Sequence, residues 1–162
     1  MIRFEFMDKN RADELLPQLF ELLYENMNEI DPSGLGPEEL FSGWIEAVGP
    51  AVQKSARQIV LIEDGDELIG YFQYYINPST FMMEEIQFKR AYWGSGLFRE
   101  LYSFLYDTVR SFPENVEAYS LKNNCKSQRI LEHLGLERIG ENENGSCYHY
   151  RGSCETMWRI LF

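Results

Sequence analysis

The stretch FKRAYWGSGLFREL (88–101) decides the fold, because a strand pattern gives way to a helix pattern within it. The glycines Gly94 and Gly96 fall at the junction, where glycine permits backbone angles that other residues avoid. A helix start presents free N–H groups and a positive dipole end, and Arg90 and Arg99 stand nearby. The junction therefore indicates a phosphate-binding loop. An ordinary tight turn is the alternative.

The periodicity around this stretch predicts a mixed α/β sheet with flanking helices, in a single domain over residues 1–162. A dinucleotide-binding fold is disfavoured, because Arg99 takes the third glycine position of G-x-G-x-x-G. The predicted strands are Ile2–Met7, Ile59–Ile62, Leu68–Ile76, Phe81–Lys89, Val116–Leu121, Leu136–Gly140 and Cys147–Tyr150. The predicted helices are Asp13–Met27, Pro37 to about Ala47, Leu97–Val109 and Ser127–Leu134, with turn chemistry in DPSGLGP (31–37). The C-terminal SCETMWRILF (153–162) fits a final strand or a dimer contact equally well.

Two motifs in this order resemble those of the GNAT superfamily of N-acetyltransferases. The first, in residues 88–101, resembles the family's CoA signature V-x-P-x-Y-R-G-x-G-x-G/A, with Phe88 at the valine, Tyr92 at the tyrosine, and Gly94 and Gly96 at the first two glycines. The second, NCKSQRILEHLGLERIG (124–140), resembles N-x-x-A-x-x-L-Y-E-x-L-G-F, with Asn124 at the asparagine and Leu134-Gly135-Leu136 at the closing L-G-F. Two motifs separated by a strand are more specific than either alone.

This resemblance implies an acetyltransferase that moves an acetyl group directly from acetyl-CoA to an amine. It implies that backbone N–H groups around Trp93–Phe98 hold the pyrophosphate and that the Phe88 N–H polarises the thioester carbonyl. Asn124 is expected to hold the pantetheine arm, in a sheet that splays between its fourth and fifth strands. The residues expected to bind the cofactor are Phe88, Arg90, Trp93, Gly94, Ser95, Gly96, Leu97, Phe98 and Asn124.

The sequence departs from the family pattern at four positions. Trp93 replaces the usual arginine or glutamine, and Phe98 replaces a small residue; Arg90 stands where proline is common. Because the family holds the pyrophosphate mainly through backbone N–H groups, these changes are expected to adjust affinity. The fourth departure is Leu131, at the position of the tyrosine that often protonates the leaving thiolate. The acid is therefore expected elsewhere in the protein or in solvent.

Glu84 is the candidate catalytic base. Strand alternation places it on one face with the apolar residues Met82, Ile86 and Phe88. Apolar surroundings raise the pKa of a carboxyl group toward the range that suits a general base. The resemblance supports this choice, since several members carry a catalytic Glu or His four residues before the valine position. Glu85, on the opposite face, is the less favoured alternative.

The net charge of −11 disfavours a nucleic-acid partner, because phosphate contacts need Lys and Arg. No apolar run is long enough to cross a membrane, and no signal peptide is recognised at the N-terminus. The three cysteines fit no metal motif, so reduced thiols in the cytoplasm and no bound metal are expected. A homodimer is left open.

The uneven distribution of charge bears on the acceptor. Residues 1–50 hold eleven acids and three bases, whereas residues 86–130 hold four acids and seven bases. Since the family builds part of its acceptor site from the first two helices, the acidic segment predicts a cationic amine, such as a polyamine, an aminoglycoside or a lysine side chain. Two other readings stay open. One is a CoA-binding module that has lost catalysis, and the other is an interaction protein that uses Trp44, Trp93 and Trp158 on a partner surface.

Overall fold

The computed structural model describes residues 1–30, 32–54, 57–109 and 111–162. Asp31, the first residue of the predicted turn 31–37, lies outside the described residues. The strands are β1 (Ile2–Phe6), β2 (Gln58–Asp64), β3 (Glu67–Ile76), β4 (Thr80–Phe88), β5 (Asn115–Leu121), β6 (Glu137–Glu141) and β7 (Cys147–Ser153). The helices are α1 (Ala12–Met27), α2 (Pro37–Gln53), α3 (Leu97–Thr108), α4 (Cys125–His133) and α5 (Cys154–Leu161).

The strands form one mixed sheet in the order β1-β2-β3-β4-β5-β7-β6. Strands β4 and β5 are parallel, as a connection through α3 requires, whereas β1 with β2, β5 with β7, and β6 with β7 are antiparallel. The pairing of β4 with β5 covers Thr80–Met83 and Asn115–Ala118, the first four residues of each strand. The predicted mixed α/β sheet with flanking helices is confirmed.

The chain divides into two compact units, residues 1–73 with 85–95 and residues 74–84 with 96–162. In the first unit, apolar residues of α1 at helical spacing, such as Leu16 and Leu19, pack with Leu61 and Tyr71 of the sheet. Helix α2 runs six residues beyond the predicted end at Ala47. It continues through Pro50 because Val48 and Val52 are buried in the same cluster. The single-domain organisation stays a prediction.

In the second unit, an aromatic cluster surrounds Trp158 of α5. Its ring centroid lies 4.9 Å from that of Phe112 and 6.0 Å from that of Tyr102. The alternative of a final strand is therefore wrong, because the C-terminal segment is a helix. Its start is capped by Ser153, whose hydroxyl oxygen accepts from the Thr156 N–H at 3.2 Å, and it buries Met157 one turn later.

Gly70 in β3 is required by close packing. A Cβ at this position would lie 2.6 Å from the Gln87 carbonyl oxygen and 2.8 Å from the Phe88 ring. We expect Gly70→Ala to lower the free energy of unfolding by about 1–3 kcal/mol, because a backbone oxygen cannot move aside cheaply. Gly43→Ala is the matched control: it lies inside α2 with nothing within 4 Å, so it should raise stability by about 0.5–1 kcal/mol. Urea unfolding of both variants checks the difference, and equal effects would contradict it.

Candidate functional site

The loop after β4 has the backbone that the glycines predicted. A single 3₁₀ turn over Arg90–Tyr92 follows the strand, and the Ser95 hydroxyl donates to the Tyr92 carbonyl at 2.5 Å. Gly94 and Gly96 have φ angles of +73° and +86°, in the left-handed region that favours glycine. A Cβ built on either glycine meets nothing within 4 Å. The glycines therefore serve the backbone conformation, and the space beside them is open to a ligand.

The start of α3 offers donors to an anion. The first N–H groups of a helix have no partner within the helix, and Gly96, the residue before α3, has no side chain to cap them. By contrast, the Asn124 side chain accepts from the Ser127 N–H at 3.2 Å and so caps α4. The side chain of Leu97 is buried and that of Phe98 packs against Tyr102, with ring centroids 4.7 Å apart. Leu97 and Phe98 can therefore contribute to an anion site mainly through their backbones.

Trp93, the first departure from the family signature, holds the end of β4. Its indole Nε1–H donates to the Phe88 carbonyl oxygen at 3.0 Å, and the Asn26 side-chain amide donates to the same oxygen at 2.9 Å. The Lys89 N–H donates to Ile69 of β3 at 2.7 Å. Because successive residues of a strand point their N–H and C=O groups to opposite edges, those of Phe88 point away from β3. We call Trp93, Asn26 and the Phe88 carbonyl the Phe88 clasp.

Arg90, which was expected to contact the cofactor, is already engaged within the first unit. Its guanidinium forms an ion pair with Glu29, shortly after α1, and lies 5.1 Å from the centroid of the Trp93 ring. Both charged side chains are exposed, so the ion pair itself adds little stability. Arg90 therefore packs on Trp93, next to Gly94. Its role in binding the cofactor stays a proposal.

Tyr92, at the tyrosine position of the family signature, anchors the loop to the end of β2. Its hydroxyl donates to the Asp64 carboxylate at 2.8 Å. This hydrogen bond raises the pKa of Tyr92, and it helps the N-terminal ammonium to lower the pKa of Asp64. Tyr92 thus fixes the loop to the end of β2.

The two glutamates in the middle of β4 differ in their surroundings. The four residues of the predicted face, Met82, Glu84, Ile86 and Phe88, are all half-buried, and Glu85 on the opposite face is half-buried too. Glu85 accepts a hydrogen bond from the Gln87 side chain at 2.6 Å, and Gln87 in turn accepts from Asn26 at 2.8 Å. Glu84, half-buried one residue earlier on the strand, stays the candidate base.

A buried tyrosine lies beside this chain of hydrogen bonds. The Tyr71 hydroxyl has no hydrogen-bond partner in the part of the chain that the structure describes. Burial, with a smaller contribution from the charge of Glu85, raises the pKa of Tyr71 well above its usual range. The hydroxyl is therefore kept protonated.

Leu131 cannot replace the missing acid, since its side chain is apolar and buried on α4. The nearby Cys125 is exposed, whereas burial raises the pKa of the Cys154 thiol to about 11. A thiol with so high a pKa is a poor nucleophile at neutral pH.

A polar cluster that the sequence did not reveal lies on the second unit. His149 of β7 is bonded through Nε2 to the Glu117 carboxylate of β5 at 2.7 Å, and the other oxygen of Glu117 accepts from the Thr80 hydroxyl at 2.9 Å. The Tyr119 ring stacks on the imidazole, with centroids 4.4 Å apart and planes 15° apart. The only signal in the sequence was the alternation that puts Glu117 and Tyr119 on one face of their strand. Glu117 and His149 are 32 positions apart in the sequence, so the sequence alone did not indicate their contact.

The fold is that of an acetyltransferase, and the comparisons with known proteins agree. The model of the GNAT acetyltransferase family matches residues 16–136. The chain therefore belongs to the GNAT acetyltransferase family, which confirms the resemblance seen in its two motifs. No curated protein matches the chain.

Solved structures of low sequence identity share the fold. An acetyltransferase from Thermus thermophilus is 14% identical with a TM-score of 0.71, over 94% of this chain and 97% of that one. A PaiA N-acetyltransferase from Thermoplasma acidophilum, solved in complex with coenzyme A, is 13% identical with a TM-score of 0.68, over 94% and 99%. Mutant forms of the spermidine/spermine N-acetyltransferase of Vibrio cholerae are 17% identical with a TM-score of 0.65, over 98% and 96%.

The aromatic residues proposed for a partner surface have packing roles. Trp44 packs against Phe20 with ring centroids 5.6 Å apart, and Trp158 belongs to the aromatic cluster of the second unit. Trp93 forms the Phe88 clasp. Among the residues described, no helix is both long and apolar enough to cross a membrane, and no group of His, Cys, Asp and Glu is arranged to hold a metal ion.

Proposed function

We propose that this protein is an acetyl-CoA-dependent N-acetyltransferase that acts on a cationic amine. The observation that carries the proposal is the loop at Gly94 and Gly96, with its left-handed backbone, open space and uncapped helix start. Backbone N–H groups aligned at a helix start suit the pyrophosphate of CoA. Family membership and the coenzyme A bound to a structural relative support the same cofactor.

Each predicted cofactor residue has a distinct part in the proposal. The backbone from Trp93 to Phe98 holds the pyrophosphate, with Arg90 adding positive charge beside it. Asn124 uses its side-chain Nδ2 toward the pantetheine arm, because its Oδ1 is occupied in capping α4. The open space at Gly94 and Gly96 fits a phosphate group, since a side chain there would fill it.

The Phe88 N–H polarises the thioester carbonyl, and the Phe88 clasp holds it in place. As an incoming amine attacks, negative charge develops on the carbonyl oxygen. A fixed N–H donor stabilises that charge better than a mobile one. Trp93 and Asn26, which hold the carbonyl group of the same residue, therefore act as positioning residues.

Glu84 takes a proton from the attacking amine, directly or through water. The acceptor is cationic because the exposed surfaces of α1 and α2 are rich in carboxylates, and the family uses these helices at its acceptor site. The exposed acidic residues of the two helices are Asp13, Glu14, Glu21, Glu25, Glu38, Glu39 and Glu46. The Vibrio cholerae relative acts on spermidine and spermine, and polyamines of this kind fit such a surface. The three free cysteines suit a reducing cytoplasm.

Titration calorimetry followed by an assay of thiol release tests the function. We expect micromolar binding of acetyl-CoA, and release of CoA thiol when spermidine is added. Absence of acetyl-CoA binding would overturn the proposal. Binding without thiol release across polyamines, aminoglycosides and lysine peptides would favour a CoA-binding module without catalysis, the alternative that the buried Leu131 supports.

Trp93→Phe tests the Phe88 clasp, because phenylalanine keeps a ring beside Arg90 but lacks the Nε1–H donor. We expect kcat to fall about tenfold, the equivalent of one ordinary hydrogen bond, while the affinity for free CoA stays unchanged. Free CoA has no thioester carbonyl and so does not sense the Phe88 N–H. Trp44→Phe, which alters a packing tryptophan of the same unit, serves as the control. Equal loss of CoA affinity and kcat would mean that Trp93 only shapes the loop.

A further inference from the structure

A cationic acceptor amine must lose two protons before the amide is complete, and this inference rests on the proposed function. An ammonium ion must lose one proton before its nitrogen can attack, and the same nitrogen loses a second proton as the amide forms. The leaving thiolate takes up one proton, so one proton is released to solvent overall. Glu84 can take only one proton at a time, and Leu131 supplies none. A second proton acceptor on the same face of the sheet would take the first proton, so that Glu84 can take the second.

In the Glu117–His149 pair, the carboxylate of Glu117 is placed to orient the imidazole of His149 as a base. Both oxygens of the Glu117 carboxylate are engaged, one by His149 Nε2 at 2.7 Å and the other by the Thr80 hydroxyl at 2.9 Å. A carboxylate that holds one ring nitrogen as N–H leaves the lone pair on the other nitrogen, here Nδ1. The side chains of His149 and Glu117 are 20% and 17% exposed, so the pair is shielded but within reach of a substrate.

Strand register places this pair on the same sheet face as Glu84, and all of these residues belong to the second unit. Met82 is opposite Glu117 in the parallel pairing, and Glu84 follows Met82 by two residues on the same strand. Tyr119 is opposite His149 in the antiparallel pairing of β5 with β7. The neighbouring Met83 points to the other face, where its sulfur accepts from the Tyr102 hydroxyl of α3.

The end of the pairing brings these groups to one level of the sheet. The parallel pairing of β4 with β5 ends at Met83 and Ala118. Glu84 is the next residue along β4, and Tyr119 is the next along β5. A row of functional groups thus crosses the three strands on one face, with the imidazole of His149 at its far end.

We propose that His149, oriented by Glu117, is a second general base of the acetyl transfer and that it takes the first proton from a cationic acceptor amine. Nδ1 accepts that proton from the ammonium group and later returns it to solvent. The neutral nitrogen then forms its bond to the acetyl carbon as the C–S bond breaks. Glu84 takes the second proton and passes it to the departing thiolate. One amide and one CoA thiol form, with one proton released, and no redox step is involved.

Other charged or titratable side chains share the face. They come from β5, β6 and β7 and surround the His149 ring. By strand register they are Tyr119, Glu137, Cys147 and Arg151. The stacked Tyr119 ring leaves 44% of its surface exposed, so it also offers an aromatic face to a cation.

His149→Gln tests the proposal, because the glutamine amide can still donate to Glu117 but cannot accept a proton. The assay compares thiol release with spermidine, which is cationic at neutral pH, and with 2,2,2-trifluoroethylamine, a weak base that is largely neutral there. We expect kcat/KM for spermidine to fall about 100-fold, the usual size of a general-base effect. With 2,2,2-trifluoroethylamine the loss should be no more than about threefold, since its nitrogen needs no prior deprotonation. Glu117→Gln should show the same selectivity with a smaller loss.

His133→Gln on α4 is the matched control and should leave both rates unchanged. Equal losses with the two amines, or no loss with either, in His149→Gln would overturn the proposal. If that variant does not fold, the same comparison in Glu117→Gln decides, and equal losses there overturn it. Wild-type protein that binds acetyl-CoA but releases no thiol with polyamines, aminoglycosides or lysine peptides would overturn the proposed transferase function itself, and this inference with it.

Discussion

Gly96→Trp should weaken the binding of acetyl-CoA by at least about 100-fold, or roughly 3 kcal/mol. Two physical effects combine at this position. The φ angle of +86° is costly for any residue with a Cβ, and the indole would fill the open space beside the start of α3. The N–H groups proposed to hold the pyrophosphate would then be blocked. Titration calorimetry with acetyl-CoA measures the loss directly.

Gly65→Trp is the control that separates backbone strain from blockage. Gly65 has a φ angle of +61° in the turn between β2 and β3, and a Cβ there also meets nothing within 4 Å. This variant should lose similar stability yet bind acetyl-CoA as the wild type does. Gly96→Ala, which adds strain without much bulk, should fall between the two. Unchanged affinity in Gly96→Trp would mean that the loop is an ordinary tight turn.

The conformation of this loop could be predicted from the sequence because it depends on local chemistry. Glycine at Gly94 and Gly96 is the residue type that a left-handed backbone favours, and the apolar spacing after Gly96 marks a helix. Nothing far away in the chain was needed for that prediction. The same holds for Gly135 after α4, whose φ of +90° fits the end of a helix.

The elements that were mispredicted depend on burial against distant residues. A ten-residue apolar segment such as 153–162 suits a strand or a helix equally well, and the Ser153 cap and the contacts of Trp158 decide between them. Helix α2 continues beyond the predicted end at Ala47 because Val52 packs in the buried apolar cluster of the first unit. Local propensity is weak beside such packing.

The polar contacts of the candidate site could not be predicted from the sequence either, because they also join residues that are distant in the chain. In the sequence, Trp93 is only a departure from a family signature, whereas the structure shows its indole N–H on the Phe88 carbonyl. His149 gained its partner Glu117 only through the pairing of β5 with β7. Periodicity can place a residue on a face of a strand, but it does not say which strand lies next to it.

Glu84→Gln should lower kcat for amine acetylation by about 100- to 10,000-fold, because the amide cannot accept a proton. The affinity for acetyl-CoA should stay the same, since Glu84 has no part in holding the cofactor. Steady-state thiol release with spermidine gives kcat, and calorimetry gives the affinity. Glutamine has nearly the same shape as glutamate, so a loss confined to kcat would be due to the lost ability to accept a proton.

Glu85→Gln is the matched control for this change, one residue along the same strand. Glu85 accepts from Gln87 and lies near the buried Tyr71 in the first unit, so its replacement should cost some stability but little of kcat. The reverse result, with kcat lost in Glu85→Gln and kept in Glu84→Gln, would move the base to Glu85. The row from Glu84 to His149 would then lose its first member. The two variants therefore also test whether Glu84 is the base that acts together with His149 in the second-base proposal.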